Sequence, residues 1–165
     1  MINVTQDNVR EVTESIGIAP EFELHLLYAI RFMAANVHAP LALGEPFTTA
    51  GKDGIPSGLY QKLTGDRSYY LGFVDLWEGL KTIAKGFAGD EYEDDEEFIR
   101  DATGEFINRI NGEFVIASSK SDVNLEMEPQ LFLQIEEVAS VIKPEEIIHI
   151  PVFIGDSKAE MLFVK

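Results

Sequence analysis

The chain has 165 residues and a mass of 18.4 kDa, a length that suits one domain with a sizeable core. Its formal net charge of −16, with no Lys/Arg cluster, argues against nucleic acid or an anionic membrane as a partner. Cysteine is absent, which excludes a disulfide framework, a thiolate nucleophile and a thiolate metal site.

No apolar run approaches the roughly 18 residues of a membrane span. The first 20 residues lack the basic and apolar regions of a signal peptide. The expectation is a single cytoplasmic domain over 1–165, with 1–20 as an N-terminal extension carrying a short helix. Residues 5–15 read as that helix, with Thr5 as its cap, before Gly17 and Pro20 interrupt it. From Glu21 to Val37 the residues Phe22, Leu26, Ala29, Ile30, Met33 and Val37 recur at helical spacing, and His25 falls on a face of that helix rather than in a metal-ligand set.

Strands follow. Ala39–Thr49 contains two prolines and reads as an irregular strand. SGLYQKL and RSYYLGFVDL flank Thr64-Gly65-Asp66 as a hairpin. LWEGLKTIAKGF turns helical, and the acidic run GDEYEDDEE separates it from a second helix, expected from about Asp95 to Asn111. Glu113–Ser118 and Val123–Met127 read as a strand pair, and IIHIPVFIG with KAEMLFVK as a closing hairpin around Gly155-Asp156. Helices set among runs of tightly connected strands predict an α+β fold, with a largely antiparallel sheet packed against two long helices.

The stretch DATGEFINRING, residues 101–112, is a poor helix by composition. On a wheel of about 100° per residue, Phe98, Ile99, Ala102, Phe106 and Ile110 form a core arc of roughly 120°. Asp101, Glu105, Asn108 and Gly112 fall in a separate arc of only about 60°. That second face is built from small and polar groups instead of ordinary solvent-facing Lys and Glu. Glycine costs about 1 kcal/mol relative to Ala inside a helix. Gly112 fits a helix C-terminus, whereas Gly104 serves either close packing on the sheet or close approach of another macromolecule. The spacing alone leaves a solvated helix face open for Glu105 and Asn108.

DATGEFINRINGEFV, followed by NLEMEP, resembles the CheC/CheX/FliY family of chemotaxis phosphatases. The family pattern is Asp or Ser, three residues, Glu, two residues, Asn, a small residue four further on, and Pro after a later strand. Here these are Asp101, Glu105, Asn108, Gly112 and Pro129. The resemblance covers residues 69–129 and, loosely, the closing hairpin. Arg109 stands where the family usually has an apolar residue, and 130–146 has no counterpart. CheC-like members commonly carry two such helices. The first-half helix here has no Glu followed three residues later by Asn, so the chain looks like CheX, whose members typically form homodimers.

The resemblance implies a substrate, the aspartyl phosphate of a CheY-like response regulator in two-component, chemotaxis-type signalling. It implies Asn108 as the residue that orients the attacking water and Glu105 as the partner of the regulator's active-site Lys. Asp101, Gly104 and Gly112 are the expected docking contacts. Mg²⁺ is expected on the regulator, with no cofactor in this chain. A non-catalytic module that binds a response regulator or another signalling protein is the alternative. GDEYEDDEE lacks the spacing of a calcium loop and reads as a solvated linker.

Overall fold

Hydrophobic periodicity and hairpin chemistry place most elements where a computed structural model of the chain has them. The structure describes residues 1–165, the side chain of Ile135 excepted. A strand β1 (Ile2–Val4) precedes helix α1 (Val9–Ile16), which Gly17 ends in the left-handed region at φ 71°. Helix α2 (Pro20–Asn36) opens with proline at its first position, where the missing N–H has no intrahelical partner to lose. Strands β2 (Leu41–Leu43), β3 (Phe47–Ala50), β4 (Gly58–Gly65) and β5 (Tyr69–Val74) follow. After them come helices α3 (Trp77–Ala88) and α4 (Glu96–Ser119). The chain ends with β6 (Leu125–Met127), β7 (Leu131–Leu133), α5 (Ile135–Val141), β8 (Glu146–Ile154) and β9 (Ser157–Val164).

All strands join one sheet of order β1-β2-β8-β9-β5-β4-β6, with β3 added on β8 and β7 on β4. Every pairing is antiparallel. The α+β expectation therefore holds. Residues alternate across the pleat, so β4, β5, β8 and β9 each serve two cores. Leu59, Leu63, Leu71, Phe73, Ile150, Met161 and Phe163 face the helical layer, where they meet Leu26, Ile30, Phe106 and Ile110. Tyr60, Ile147, Leu162 and Val164 face the other side and are covered by Val138 and Ile142 of the α5 region. Residues 130–146 thus supply the cover of the sheet's second face.

Three expectations need correction. The helix after the acidic run does not stop at Asn111; it continues to Ser119, and Glu113–Ser118 is helical rather than strand. Phe114 explains the override of its β-prone sequence: its ring stacks on His25 at 4.0 Å and 4° inside the helical layer, which only the helical phase permits. Gly112 is consequently interior and is no C-cap. Thr5 does not cap α1: Asn8 is the flanking residue, and its Oδ1 accepts from the Thr5 N–H at 2.7 Å. At α4 the Asp95 carboxylate caps the helix, accepting from the Phe98 N–H at 3.0 Å.

Candidate functional site

The extra turns of α4 make one helix carry both a core face and an open face. Ile99, Phe106, Ile107, Ile110 and Phe114 are buried against the sheet and helix α2; Asp101 and Glu105 are exposed, Asn108 and Gly112 half-buried, and Gly104 is buried. The Asn108 Nδ2 approaches Glu105 Oε2 at 3.5 Å, so the two expected working groups are adjacent. The Arg109 Nε donates to Glu105 Oε1 at 2.8 Å, an exposed i,i+4 pair worth only about 0.3–0.5 kcal/mol and easily exchanged for another cation.

Asp101, Gly104 and Glu105 line one groove of about 290 Å³ with Arg100, Gln130 and Phe132. Gly112 lies further along the helix, nearest to Met127. Past it the face turns apolar: Ile116 is 61% and Met127 40% exposed. The open surface therefore runs from a carboxylate, through a carboxamide and a glycine, to two exposed apolar side chains.

Neither α4 glycine is required by the fold. A Cβ on Gly104 would meet nothing nearer than the Gln130 Cδ at 3.7 Å, and one on Gly112 only the Met127 Cε at 4.0 Å. Both are ordinary contacts, so close packing on the sheet does not explain Gly104. The α3 glycines are different: a Cβ on Gly79 would stand 2.3 Å from the Lys158 carbonyl oxygen, and one on Gly86 2.2 Å from that of Val37.

Beneath the open face runs a line of polar side chains that sequence reading did not find. Gln61, on β4 in phase with Leu59 and Leu63, points into the helical layer and is 2% exposed. Its Nε2 donates to Asn108 Oδ1 at 3.0 Å and to the Glu128 carbonyl at 2.9 Å. Its Oε1 accepts from Asn111 Nδ2 at 2.7 Å. Asn111 Oδ1 lies 2.7 Å from His25 Nε2, and His25 Nδ1 lies 2.8 Å from the Tyr69 hydroxyl. His25 and Asn111 are fully buried. The signal that could have revealed the line is Gln61 at a core-phase position of a strand, with Asn111 one helical turn beyond Asn108.

Pro129 has its place here too. It separates β6 from β7, both of which pair with β4, and it brings no N–H to the ladder. On either side of that break the Glu128 carbonyl meets Gln61, and the Gln130 Nε2 donates to the Gly104 carbonyl at 2.9 Å.

A larger cavity, about 880 Å³, is elsewhere: it opens on the sheet's second face between Ile55 and Ile142. His149 lines it, with ring nitrogens at 2.7 Å from Glu160 Oε1 and 2.8 Å from Thr49 Oγ1 and Phe47 stacked on its face at 4.4 Å. Both nitrogens are thereby satisfied. We place the candidate site on α4 rather than in this larger cavity, because α4 holds the adjacent polar pair and the buried support beneath it. Among the described residues no three His, Cys, Asp or Glu converge as a metal site.

Burial holds the His25 pKa down to about 3, with the hydrogen bond to Asn111 offsetting part of that cost, and burial likewise pushes the Tyr69 hydroxyl up. The unfolded chain protonates His25 near pH 6.5 and the folded chain only near pH 3. Folding stability is therefore expected to fall, by up to about 1.4 kcal/mol per pH unit from this group, as pH drops through that window. Urea titrations from pH 7.5 to 4, with the His25 ring followed by NMR, test this: a ring that titrates near 6.5 in the folded protein contradicts it. The glycines give a second test. Gly104→Ala is expected to leave stability unchanged or raise it by about 0.5–1 kcal/mol, whereas Gly79→Ala should cost roughly 2 kcal/mol or more through backbone displacement. Equal losses in urea unfolding would show that Gly104 serves the fold after all.

Comparison with known proteins adds the fold's identity. No protein-family model and no curated protein sequence matches the chain. Solved structures do. The chemotaxis protein CheX from Desulfovibrio desulfuricans aligns with TM-score 0.64 and 15% identity, over 87% of this chain and 98% of that one. CheX in the CheX–CheY–BeF3–Mg²⁺ complex from Borrelia burgdorferi aligns with TM-score 0.66 and 19% identity, over 87% and 95%. A CheC-like superfamily protein from a Shewanella species aligns with TM-score 0.66 and 14% identity, over 89% and 98%. The fold that positions Glu105 and Asn108 on α4 is the fold of the CheX and CheC-like chemotaxis proteins.

Proposed function

We propose that the chain hydrolyses the aspartyl phosphate of a CheY-like response regulator in chemotaxis-type signalling, with Asn108 and Glu105 as its working pair. The observation that carries this reading is a half-buried carboxamide, its oxygen held by Gln61 from below, beside an exposed carboxylate on the same helix face. The solved complex of a protein of this fold with CheY supports the choice of partner.

An acyl phosphate is already activated, so the task is chiefly to place a water in line with the scissile bond. The water oxygen bonds phosphorus as the bond to the aspartyl oxygen breaks, leaving a carboxylate and inorganic phosphate. Asn108 suits this because its carbonyl accepts from the water and stays neutral beside the phosphoryl charge. Gln61 uses one acceptor position of Oδ1, and the other serves the water. Glu105 is a poor general base next to a phosphoryl group, and pairs instead with the regulator's active-site Lys as Arg109 releases it. Mg²⁺ belongs to the regulator. Gly104 and Gly112 give clearance, Asp101 a flanking contact, and Ile116 and Met127 the apolar edge of the docking surface.

A second reading has its own observation. Arg109 already engages Glu105, and in a module that only binds a response regulator the pair would stay closed. We further place the protein in the cytoplasm as a homodimer joined through a strand edge, β1 and β6 being the ends of the sheet path.

Decay of a phosphorylated response regulator from the same genome, with and without the protein, separates the two readings. Acceleration is expected, reduced roughly 100-fold or more in Asn108→Ala while co-sedimentation with the regulator persists. Unchanged decay across the regulators tested, with binding intact, leaves the binding module. Sedimentation equilibrium is expected to give twice the 18.4 kDa chain mass, and a monomer up to high micromolar concentration rejects the dimer.

A further inference from the structure

The buried line beneath α4 has a direction, and one main-chain atom sets it. The Glu128 N–H donates to the Lys62 carbonyl at 2.9 Å, which pins this stretch of backbone to β4. The Glu128 carbonyl can only accept, and the Gln61 amide end lies 2.9 Å from it. A flipped Gln61 would turn its own oxygen against that carbonyl, so Nε2 must face Glu128 and Asn108, and Oε1 must face Asn111. Asn111 then donates to Gln61 and turns its oxygen to His25, whose Nε2 carries the proton. His25 Nδ1 is left bare and accepts from the Tyr69 hydroxyl. At the other end, the same constraint requires Asn108 to present Oδ1 to Gln61 and Nδ2 to Glu105. Every donor in the line points the same way, from Tyr69 to Glu105.

We propose that Gln61 is a positioning residue of the site, fixing which end of the Asn108 carboxamide faces the partner and from which side a water reaches it. An isolated surface Asn would sample both amide orientations. Gln61 leaves one, with Oδ1 on the Gln61 Nε2 and Nδ2 toward Glu105. It also uses one acceptor position of Oδ1, so a second donor can approach only from the remaining side. Asn111, His25 and Tyr69 act through Gln61 by holding its Oε1, and Pro129 acts through it by exposing the Glu128 carbonyl. The catalytic consequence rests on the phosphatase reading, whereas the orientation of Asn108 does not.

Two variants and one spectroscopic signal test this. Gln61→Glu keeps the side-chain shape but sets oxygen against Glu128 and Asn108, and Gln61→Leu removes all three bonds. With phosphorylated regulator as substrate, both are expected to lower kcat by about 10- to 100-fold and to leave KM within about twofold. In ¹⁵N-labelled protein the Asn108 side-chain NH₂ should be one sharp pair in the wild type. It should shift or broaden in both variants, while the backbone amides of α4 keep their positions. Unchanged kcat together with an unmoved Asn108 signal overturns the assignment, as does a loss in which KM and the α4 backbone change together, the mark of a merely structural residue. If the wild-type protein accelerates no decay, the phosphatase reading fails by itself and the Asn108 signal still decides whether Gln61 orients it. Should neither variant fold, a wild-type Asn108 NH₂ averaging over two orientations overturns the proposal.

Discussion

A buried carboxamide must find partners for both of its ends, because an unpaired donor or acceptor away from water costs about 1–3 kcal/mol. Gln61 and Asn111 meet that requirement with each other, between the sheet and α4. Sliding α4 along the sheet by one turn would leave the Gln61 amide, the Asn111 amide, the His25 ring and the Glu128 carbonyl all mismatched. Apolar packing alone tolerates such a shift far better, since Ile99, Phe106, Ile110 and Phe114 repeat along the helix. The polar line thus specifies the register that places Asn108 and Glu105 at the surface, and the surrounding Phe114, Tyr69 and Phe163 keep it dry.

The same helix shows how a fold makes room for a partner. Gly79 and Gly86 in α3 are demanded by backbones lying against them, Lys158 of β9 in one case and Val37 after α2 in the other. Gly104 and Gly112 in α4 answer to no such neighbour, and each gives up about 1 kcal/mol of helix propensity. A helix that accepts that cost, at Gly104 under the Gln130 side chain and at half-buried Gly112, and ends its polar face with exposed Ile116 and Met127, has the character of a docking surface rather than a solvated one.

The sheet's two faces divide the labour. Helices α1 to α4 close one face around the larger core, and the polar line belongs to that side. The segment from β7 through α5 closes the other with a small core of its own. It is not remote from the site, because its first residues carry Gln130 onto the Gly104 carbonyl and Phe132 under the Arg100 guanidinium at 4.0 Å. A stretch that fits no motif therefore builds one wall of the groove beside Glu105.

Local physics alone placed α2, α3, both hairpins and the start of α4, because periodicity and turn residues act within a few positions of one another. The wheel likewise separated Asp101, Glu105, Asn108 and Gly112 from the core face, since helical geometry needs no tertiary partner. The motif resemblance pointed to the fold that solved structures share with this chain. What only the tertiary structure decided depends on contacts distant in sequence. The helical state of Glu113–Ser118 is set by Phe114 packing on His25. The freedom of Gly104 and Gly112 follows from the absence of a close backbone above them. The line from Tyr69 to Asn108 joins residues of α2, β4, β5 and α4, and His25 and Asn111 lie 86 positions apart. A sequence can state that such polar residues exist, but only the packed sheet and helices make them each other's necessary partners.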